Sequence, residues 1–457
     1  MKTLAIDFGS TFTKVSAICM EKAEIIGTAK AFTTIETDIR DGLNNAMKEL
    51  HGQIGRVDFA QKLAASSAGG GLKMVAVGLV PALTAKAAST AACSAGAKVV
   101  KTFAYELSTA EQQEIFDINP DLILLSGGTD GGNKEAILHN AKKLAEIDRD
   151  FSVIIAGNKS VAQDVLDDLV QGFKHAVICD NVMPEFNTLE IMSAKNAIRD
   201  LFMEKIIEAK GLTEAAKLMD APIIPTPLAV FEGAQVLSES LGDILVVDVG
   251  GATTDVYSMC SGVPVMTNVS LKGLPEPFAK RTVEGDLGMR YSLDSLVEIA
   301  TIERKAVFCG DNGETMAELD KFRALCAADP SFVPEPSSLF GKFDKALCGM
   351  AVNLAVERHS GKLETAYSPF GQIFYQTGKD LTDVKYVIGV GGAIIYSPDP
   401  AEILTNAVRD EYSPEILKPV KPKFLLDKKY IFAAMGLVSR VDKQLATKIF
   451  HNELKEL

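Results

Sequence analysis

The chain has no surplus of positive charge. It carries 47 Lys and Arg against 60 Asp and Glu, a formal net charge of -13. Nucleic-acid partners demand basic surface to meet their phosphates, so that class is excluded. With no basic run, the chain offers no patch to an anionic membrane surface either. Long apolar runs are also missing: stretches such as Ile244 to Val247 are short and flanked by charge. None approaches the roughly 18 uninterrupted apolar residues of a spanning helix. The first apolar run encloses Asp7 and has no cationic leader before it, so it does not read as a signal peptide. Cysteine is sparse: Cys19, Cys93, Cys179, Cys260, Cys309, Cys326 and Cys348 are odd in number, scattered and without CxxC spacing. Zinc and iron–sulfur ligation are left without support, and the thiols read as those of a reducing, cytoplasmic compartment. Five scattered histidines form no cluster.

What the chain does have is a stretch that it repeats. Leu4-Ala5-Ile6-Asp7-Phe8-Gly9-Ser10-Thr11-Phe12-Thr13-Lys14 shares its layout with Val246-Val247-Asp248-Val249-Gly250-Gly251-Ala252-Thr253-Thr254-Asp255. Asp7 matches Asp248, Gly9 matches Gly250 and Thr13 matches Thr254, each pair equally far apart in the chain. Each copy reads as an apolar strand ending in Asp, a turn of glycine and hydroxyl residues, and a second strand.

Such a turn has a definite chemistry. Glycine lets the backbone approach a bulky anion, and successive N–H groups then form an anion-binding concavity that hydroxyls extend. A carboxylate cannot bind phosphate itself. It can hold hydrated Mg²⁺, which keeps several waters and takes one or two carboxylates. One copy alone is equally an ordinary Gly/Thr-rich hairpin, since short glycine motifs recur by chance; the repeat in register favours the phosphate reading. On it, Asp7 and Asp248 hold a Mg²⁺–phosphate assembly, Asp248 positions the attacking water, and Gly9, Ser10, Thr11, Thr13, Lys14, Gly250, Gly251, Thr253 and Thr254 line the phosphates.

In chain order, the first hairpin is followed by a strand over Ile25–Phe32 and a helix capped by Asp38. Between Leu72 and Asp180 short apolar runs alternate with helical patterns, which predicts a parallel, doubly wound sheet. There Ser126-Gly127-Gly128-Thr129-Asp130-Gly131-Gly132-Asn133 is either an anion-holding loop or a plain strand-to-helix turn, with Asp130 a site candidate. Met183–Met219 reads as helical. After the second hairpin, Val263–Val269 is expected to continue the sheet. Arg281-Thr282-Val283-Glu284-Gly285-Asp286-Leu287-Gly288 reads as a solvated loop, in which Glu284 and Asp286 are weaker candidates for orienting metal or water. Pro330–Pro336 reads as a linker, Phe343–Arg358 as a core helix, and Lys429–Leu454 as one final helix. With 457 residues the chain is long enough for two or three domains.

The two hairpins resemble the phosphate-1 and phosphate-2 motifs of the actin/Hsp70/sugar-kinase superfamily. Three further motifs stand in the expected order. Thr226-Pro227-Leu228-Ala229-Val230-Phe231-Glu232-Gly233 resembles the first connecting helix. Val387-Ile388-Gly389-Val390-Gly391-Gly392-Ala393 resembles the adenosine motif, implying Gly389, Gly391, Gly392 and Ala393 as a close-approach wall for adenosine. Ala433-Ala434-Met435-Gly436-Leu437 resembles the second connecting helix. The resemblance implies an α/β, two-lobed, actin-like ATPase with a ribonuclease-H-like duplicated fold. The first lobe would span 1–230, with an elaborated doubly wound region over about 72–180 and a closing helix over 429–457; the second would span 231–428.

The wording of the first hairpin, of Ser126–Asn133 and of Arg281–Gly288 narrows this further. Together they resemble the MutL/GlmL-type accessory proteins of glutamate (methylaspartate) mutase, unrelated to the mismatch-repair protein called MutL. This implies an ATP- and Mg²⁺-dependent reactivating chaperone whose partner is an adenosylcobalamin-dependent mutase, releasing damaged cobalamin. Region 72–180 would be either its docking surface for the mutase or merely a stabilising elaboration, and a homodimer is compatible with the reading. One departure stands out: Hsp70-like proteins carry Glu where Thr226 precedes Pro227. A small-molecule kinase and an actin-like scaffold are the alternative readings on the same fold. Activators of 2-hydroxyacyl-CoA dehydratases share that fold too, but need a bridging-cluster cysteine arrangement not evident here.

Overall fold

β1 (Lys2–Phe8) buries Leu4, Ala5, Ile6 and Phe8, whose alternate side chains point to both faces of the strand. A strand buried on both faces belongs at the centre of a sheet covered on both sides. β1 pairs antiparallel with β2 (Phe12–Cys19) and parallel with β4 (Gln61–Ser66), while β3 (Glu24–Phe32) adds antiparallel to β2. Between β3 and β4 runs the helix Ile39–Ile54, whose first N–H groups are capped by the Asp38 carboxylate, as expected. This computed structural model describes residues 1–9, 12–34, 38–66, 73–94, 98–209, 212–265, 268–299, 313–368, 371–410 and 413–457. The chain forms two compact units: Met1–Gly233 with Phe432–Ile449, and Ala234–Ile431 with Phe450–Leu457.

The first unit holds a second sheet. β5 (Lys73–Gly78), β6 (Lys98–Ala104), β7 (Leu122–Leu125), β8 (Ser152–Ile155) and β9 (His175–Ile178) are all parallel, in the order β6-β5-β7-β8-β9. Helices Thr109–Ile118, Glu135–Ala145 and Ala162–Gln171 connect them. Ile123, Leu125, Val153 and Ile155 pack against Ile115, Ile137, Leu144 and Val165 in one apolar core. The doubly wound region expected between Leu72 and Asp180 is therefore present. β10 (Ile224–Pro225) then returns to the first sheet, parallel to β4.

The second unit repeats the plan. β11 (Ile244–Val249) pairs antiparallel with β12 (Thr254–Met259), and β14 (Ala279–Glu284) adds antiparallel to β12. On its other side β11 pairs parallel with β17 (Tyr386–Val390), and β17 with β18 (Lys423–Leu426). Thus β3-β2-β1-β4-β10 and β14-β12-β11-β17-β18 share one order and one set of directions. This is the duplicated, two-lobed actin-like fold. β19 (Lys455–Glu456) extends the second sheet beyond β18. The helix Leu339–His359 packs on one face of this sheet, with Leu347, Met350, Ala351 and Leu354 buried against Leu245, Val247 and Val256.

Four expectations need correction. Residues Met183 to Ile191 are not helical; the helix begins at Met192, beyond Pro184 and an Asn187 at φ 61°. The strand following the second hairpin is β14 rather than Val263–Val269. Among the described residues of that stretch only Val269 enters a strand, β13 (Val269–Leu271), which joins β15 (Lys362–Ser368) and β16 (Gly371–Thr377) in a separate three-stranded sheet. Arg281–Glu284 lies in β14 and is no solvated loop, because Arg281 is buried in an ion pair. Lys429–Leu454 is two helices, Ile431–Ser439 and Lys443–Glu453; Asp442 ends the break by accepting the Leu445 N–H at 2.9 Å. Among the described residues no helix is long and apolar enough to cross a membrane, and Cys19, Cys179, Cys260, Cys326 and Cys348 are free thiols.

Candidate functional site

In the first unit the turn between β1 and β2 closes with the Gly9 N–H donating to Phe12 O at 3.1 Å. A Cβ on Gly9 would lie 2.5 Å from that same oxygen, so the turn requires glycine. Ser10 and Thr11 lie outside the described residues. Asp7 faces Lys14 in the cross-strand register, with Lys14 Nζ 3.9 Å from Asp7 Oδ2. Its other oxygen accepts a 2.6 Å hydrogen bond from the Thr226 hydroxyl. Thr226 opens the helix Thr226–Leu241, with Pro227 in the first turn where a missing N–H costs nothing. Thr13 is fully buried and its hydroxyl bonds Thr33 Oγ1 at 3.1 Å; Thr33 in turn donates to Gly9 O at 3.0 Å. Thr13 thus braces the turn from inside.

In the second unit the turn repeats, the Gly250 N–H donating to Thr253 O at 2.9 Å. Thr254, the counterpart of Thr13, is also buried, and its hydroxyl donates to Leu287 O at 2.6 Å. The segment after β14 wraps this turn: the Met289 N–H donates to Gly250 O, and the Arg290 and Tyr291 N–H groups donate to Gly251 O. Ser292 Oγ donates to Ala252 O at 2.8 Å. The motif Arg281–Gly288 and the residues just after it therefore cradle the second turn.

The charges differ between the copies. Where Asp7 faces Lys14, Asp248 faces Asp255. Like charges directly opposite one another are destabilising. Asp255 is compensated by buried Arg281, whose Nη2 and Nε lie 2.6 and 3.0 Å from Oδ1, and by the Thr253 hydroxyl at 3.0 Å from Oδ2. Two residues on from Asp255, Tyr257 is fully buried, and burial pushes its phenol well above the usual range. Glu284 and Asp286 are drawn together by Arg358 Nη1, at 2.7 and 2.8 Å. Burial pushes the Glu284 carboxyl up, against the opposing pull of Arg358.

The adenosine-motif glycines have specific neighbours. Gly391 has φ +87°, and a Cβ there would lie 2.3 Å from Val249 O and 2.6 Å from Asp248 Oδ1. A Cβ on Gly392 would lie 2.8 Å from the Tyr430 hydroxyl. These two glycines make room for Asp248 and Tyr430 on the protein side. Gly389 faces Ile394 and Leu404 in the core. Gly392, Ala393 and Tyr396 line a cavity of about 250 Å³, together with Val249, Gly250, Gly251, Arg290 and Asp344. Arg290 ties its walls together, its Nη1 donating to Asp344 Oδ1 at 2.7 Å and its Nε to Phe332 O at 3.2 Å. Gly250 and Gly251 of the second turn and Gly392 and Ala393 of the adenosine motif thus line one cavity.

Asp130 lies in the loop after β7 and is tied to neighbouring loops: its N–H donates to Pro184 O, and its carboxylate accepts from Asn181 Nδ2 and the Lys159 N–H. Burial pushes its carboxyl up but is outweighed by hydrogen bonds from Asn181 and Lys159, so it lies below its ordinary value. The helix after this loop starts only at Glu135, and the Gly131 N–H is already bonded to Asn158 Oδ1. Four residues with evident roles escaped the sequence reading: Thr226 as a partner of Asp7, Arg281, Arg290 and Tyr430. Only Thr226 had a signal, as a departure from pattern. The other three depend on side chains brought together by the fold. Among the described residues no group of three or more His, Cys, Asp or Glu is placed to hold a metal ion.

The family model described as "MutL protein" matches residues 3–454. "Protein MutL" of Clostridium tetanomorphum is 46% identical over 459 residues, covering 99% of this chain and 98% of that protein. Among solved structures, nucleotide-free acetone carboxylase aligns over 96% of this chain and 70% of its own, at 13% identity and a TM-score of 0.42. The activator of 2-hydroxyisocaproyl-CoA dehydratase from Clostridium difficile aligns over 100% and 99%, at 10% identity and a TM-score of 0.32.

Proposed function

The chain belongs to the MutL family, and from that premise we propose that it is an ATP-dependent accessory protein of an adenosylcobalamin-dependent mutase, glutamate mutase being the first candidate. The reading rests on one observation: the cavity of about 250 Å³ that the Gly250–Gly251 turn shares with Gly392 and Ala393. Backbone N–H groups of a Gly/Thr turn suit phosphate oxygens, and an adjoining part-apolar slot suits a base. Lys14 adds a cation at the first turn. Asp7 and Asp248 are hard oxygen donors of the kind that Mg²⁺ takes through its waters. When bound, Mg²⁺ would neutralise phosphate charge.

The chain's own residues do the rest. Thr226 fixes the Asp7 carboxylate, and Arg281 with Thr253 fixes Asp255 beside Asp248. Phosphoryl transfer depends on positioning and charge compensation more than on covalent chemistry, and these contacts supply both. The parallel-sheet region over Lys73–Ile178 is proposed as the surface that meets the mutase.

The test is reactivation. Mutase inactivated with cobalamin bound should regain activity when given this protein, ATP, Mg²⁺ and fresh adenosylcobalamin. Asp7→Ala or Asp248→Ala should abolish that recovery along with ATP hydrolysis. Recovery without nucleotide, or hydrolysis at the wild-type rate in both variants, overturns the reading. Phosphorylation of a small hydroxylated acceptor would favour a kinase instead.

A further inference from the structure

Tyr430 stands in a conformation that a bulky side chain rarely adopts, with φ +55°. Such strain persists only where the surroundings impose it, and it concentrates at functional sites. Here the surroundings are explicit. Asp427, buried at the end of β18, accepts the Lys429 and Ile431 N–H groups on Oδ1 at 3.3 and 3.0 Å. Its own N–H donates to Gly389 O at 3.1 Å. The turn Asp427–Ile431 is thereby pinned to the end of β17, and the strained residue at its crest is held over the adenosine motif.

The hydroxyl occupies the space that a Cβ on Gly392 would need, at 2.8 Å, as Asp248 Oδ1 occupies that of a Cβ on Gly391, at 2.6 Å. Consecutive glycines thus accommodate two polar groups, one an acidic side chain of the second phosphate turn. Asp248 is near enough for its charge to act on the phenol, as do Tyr396 and Asp427. The Tyr396 ring, which lines the cavity, lies 6.3 Å from that of Tyr430.

We propose that Tyr430 is a positioning residue of the nucleotide site, its phenol O–H orienting the Asp248 carboxylate across the Gly391–Gly392 step. This rests on the nucleotide reading given above. A hydroxyl at this place gives Asp248 a fixed donor without adding charge, and a backbone strained to deliver it accounts for a tyrosine where glycine would sit with less effort.

The experiment compares wild type, Tyr430→Phe and Tyr430→Gly for steady-state ATP hydrolysis, for ATP affinity by calorimetry and for Tm. Tyr430→Phe keeps the ring and removes the donor; kcat should fall about tenfold, with affinity within twofold and Tm unchanged. Tyr430→Gly relieves the strained φ but also strips a ring packed against the second unit's core, so its Tm should fall; Tyr430→Phe, which keeps the ring, separates loss of the donor from loss of packing. Wild-type kcat in Tyr430→Phe overturns the proposal and leaves the nucleotide reading standing. A wild-type protein that neither binds nor hydrolyses ATP overturns both.

Discussion

Replacing Thr226 by valine removes one hydroxyl and almost no volume. The native side chain donates to Asp7 Oδ1 at 2.6 Å, within the short range of a hydroxyl bonded to a carboxylate. Such bonds to charged groups contribute about 1.5–3 kcal/mol. Compensation is limited on both sides. The Asp7 side chain is only 15% exposed, so water replaces the lost donor poorly, and Lys14 Nζ at 3.9 Å is too far for a direct hydrogen bond. A loss of about 2 kcal/mol corresponds to about 30-fold in a rate that depends on Asp7 being held in place. We therefore expect Thr226→Val to lower kcat/KM for ATP hydrolysis by about that factor. Thr226→Ser, which keeps the hydroxyl, should recover most of it. Steady-state hydrolysis at saturating Mg²⁺ is the assay. Wild-type kcat/KM in Thr226→Val, or an equal loss in Thr226→Ser, would refute the reasoning, since neither is compatible with a bond that acts through its donor.

Three further expectations concern the frame around the turns. His359 is fully buried between Ser258 Oγ and Thr282 Oγ1, both at 2.8 Å. Burial, then Lys280 and Lys379, hold its imidazole well below the ordinary value. The unfolded chain therefore binds a proton below about pH 6.5 that the native chain refuses. Stability is fully present above that pH and should fall by about 2 kcal/mol on going to pH 5, a loss that denaturant titrations of His359→Gln should not show. Gly391→Val, for its part, meets Val249 O at 2.3 Å from a left-handed backbone, so it should unfold the second unit's site rather than merely weaken nucleotide binding. Gly436→Ala would place a Cβ 1.8 Å from Ala229 O, forcing two close helices apart at about 1–3 kcal/mol. Gly52→Ala, with nothing within 4 Å and a helical backbone, should instead stabilise by about 0.5–1 kcal/mol. Thermal unfolding of the pair decides it.

Much of this architecture was legible because its signals are local. Two apolar strands ending in Asp and closed by Gly/Thr turns can be seen in the sequence by self-comparison. A parallel sheet announces itself through short apolar runs spaced by helical patterns. What was illegible depended on partners distant in the chain. Arg281 looks like a loop charge until β14 is seen to lie beside β12, where Asp255 awaits it. Val263–Val269 has strand composition, yet its last residue pairs with Phe374, a choice made by tertiary packing rather than by propensity. A single helix over Lys429–Leu454 passes over Asp442, a good N-cap, whose carboxylate accepts the Leu445 N–H at the start of Lys443–Glu453. Tyr430 carries no signal at all, since a positive φ at tyrosine is a property of the folded turn.

A chain built from two copies of one plan need not use both copies alike. The register of the two hairpins already sets them apart. One places Lys14 opposite its aspartate, and the other places Asp255 there, restrained by Arg281. A single change of sign at one repeated position thus gives each turn its own electrostatic character, cationic beside Asp7 and acidic beside Asp248, so duplication of the backbone plan has not duplicated the chemistry.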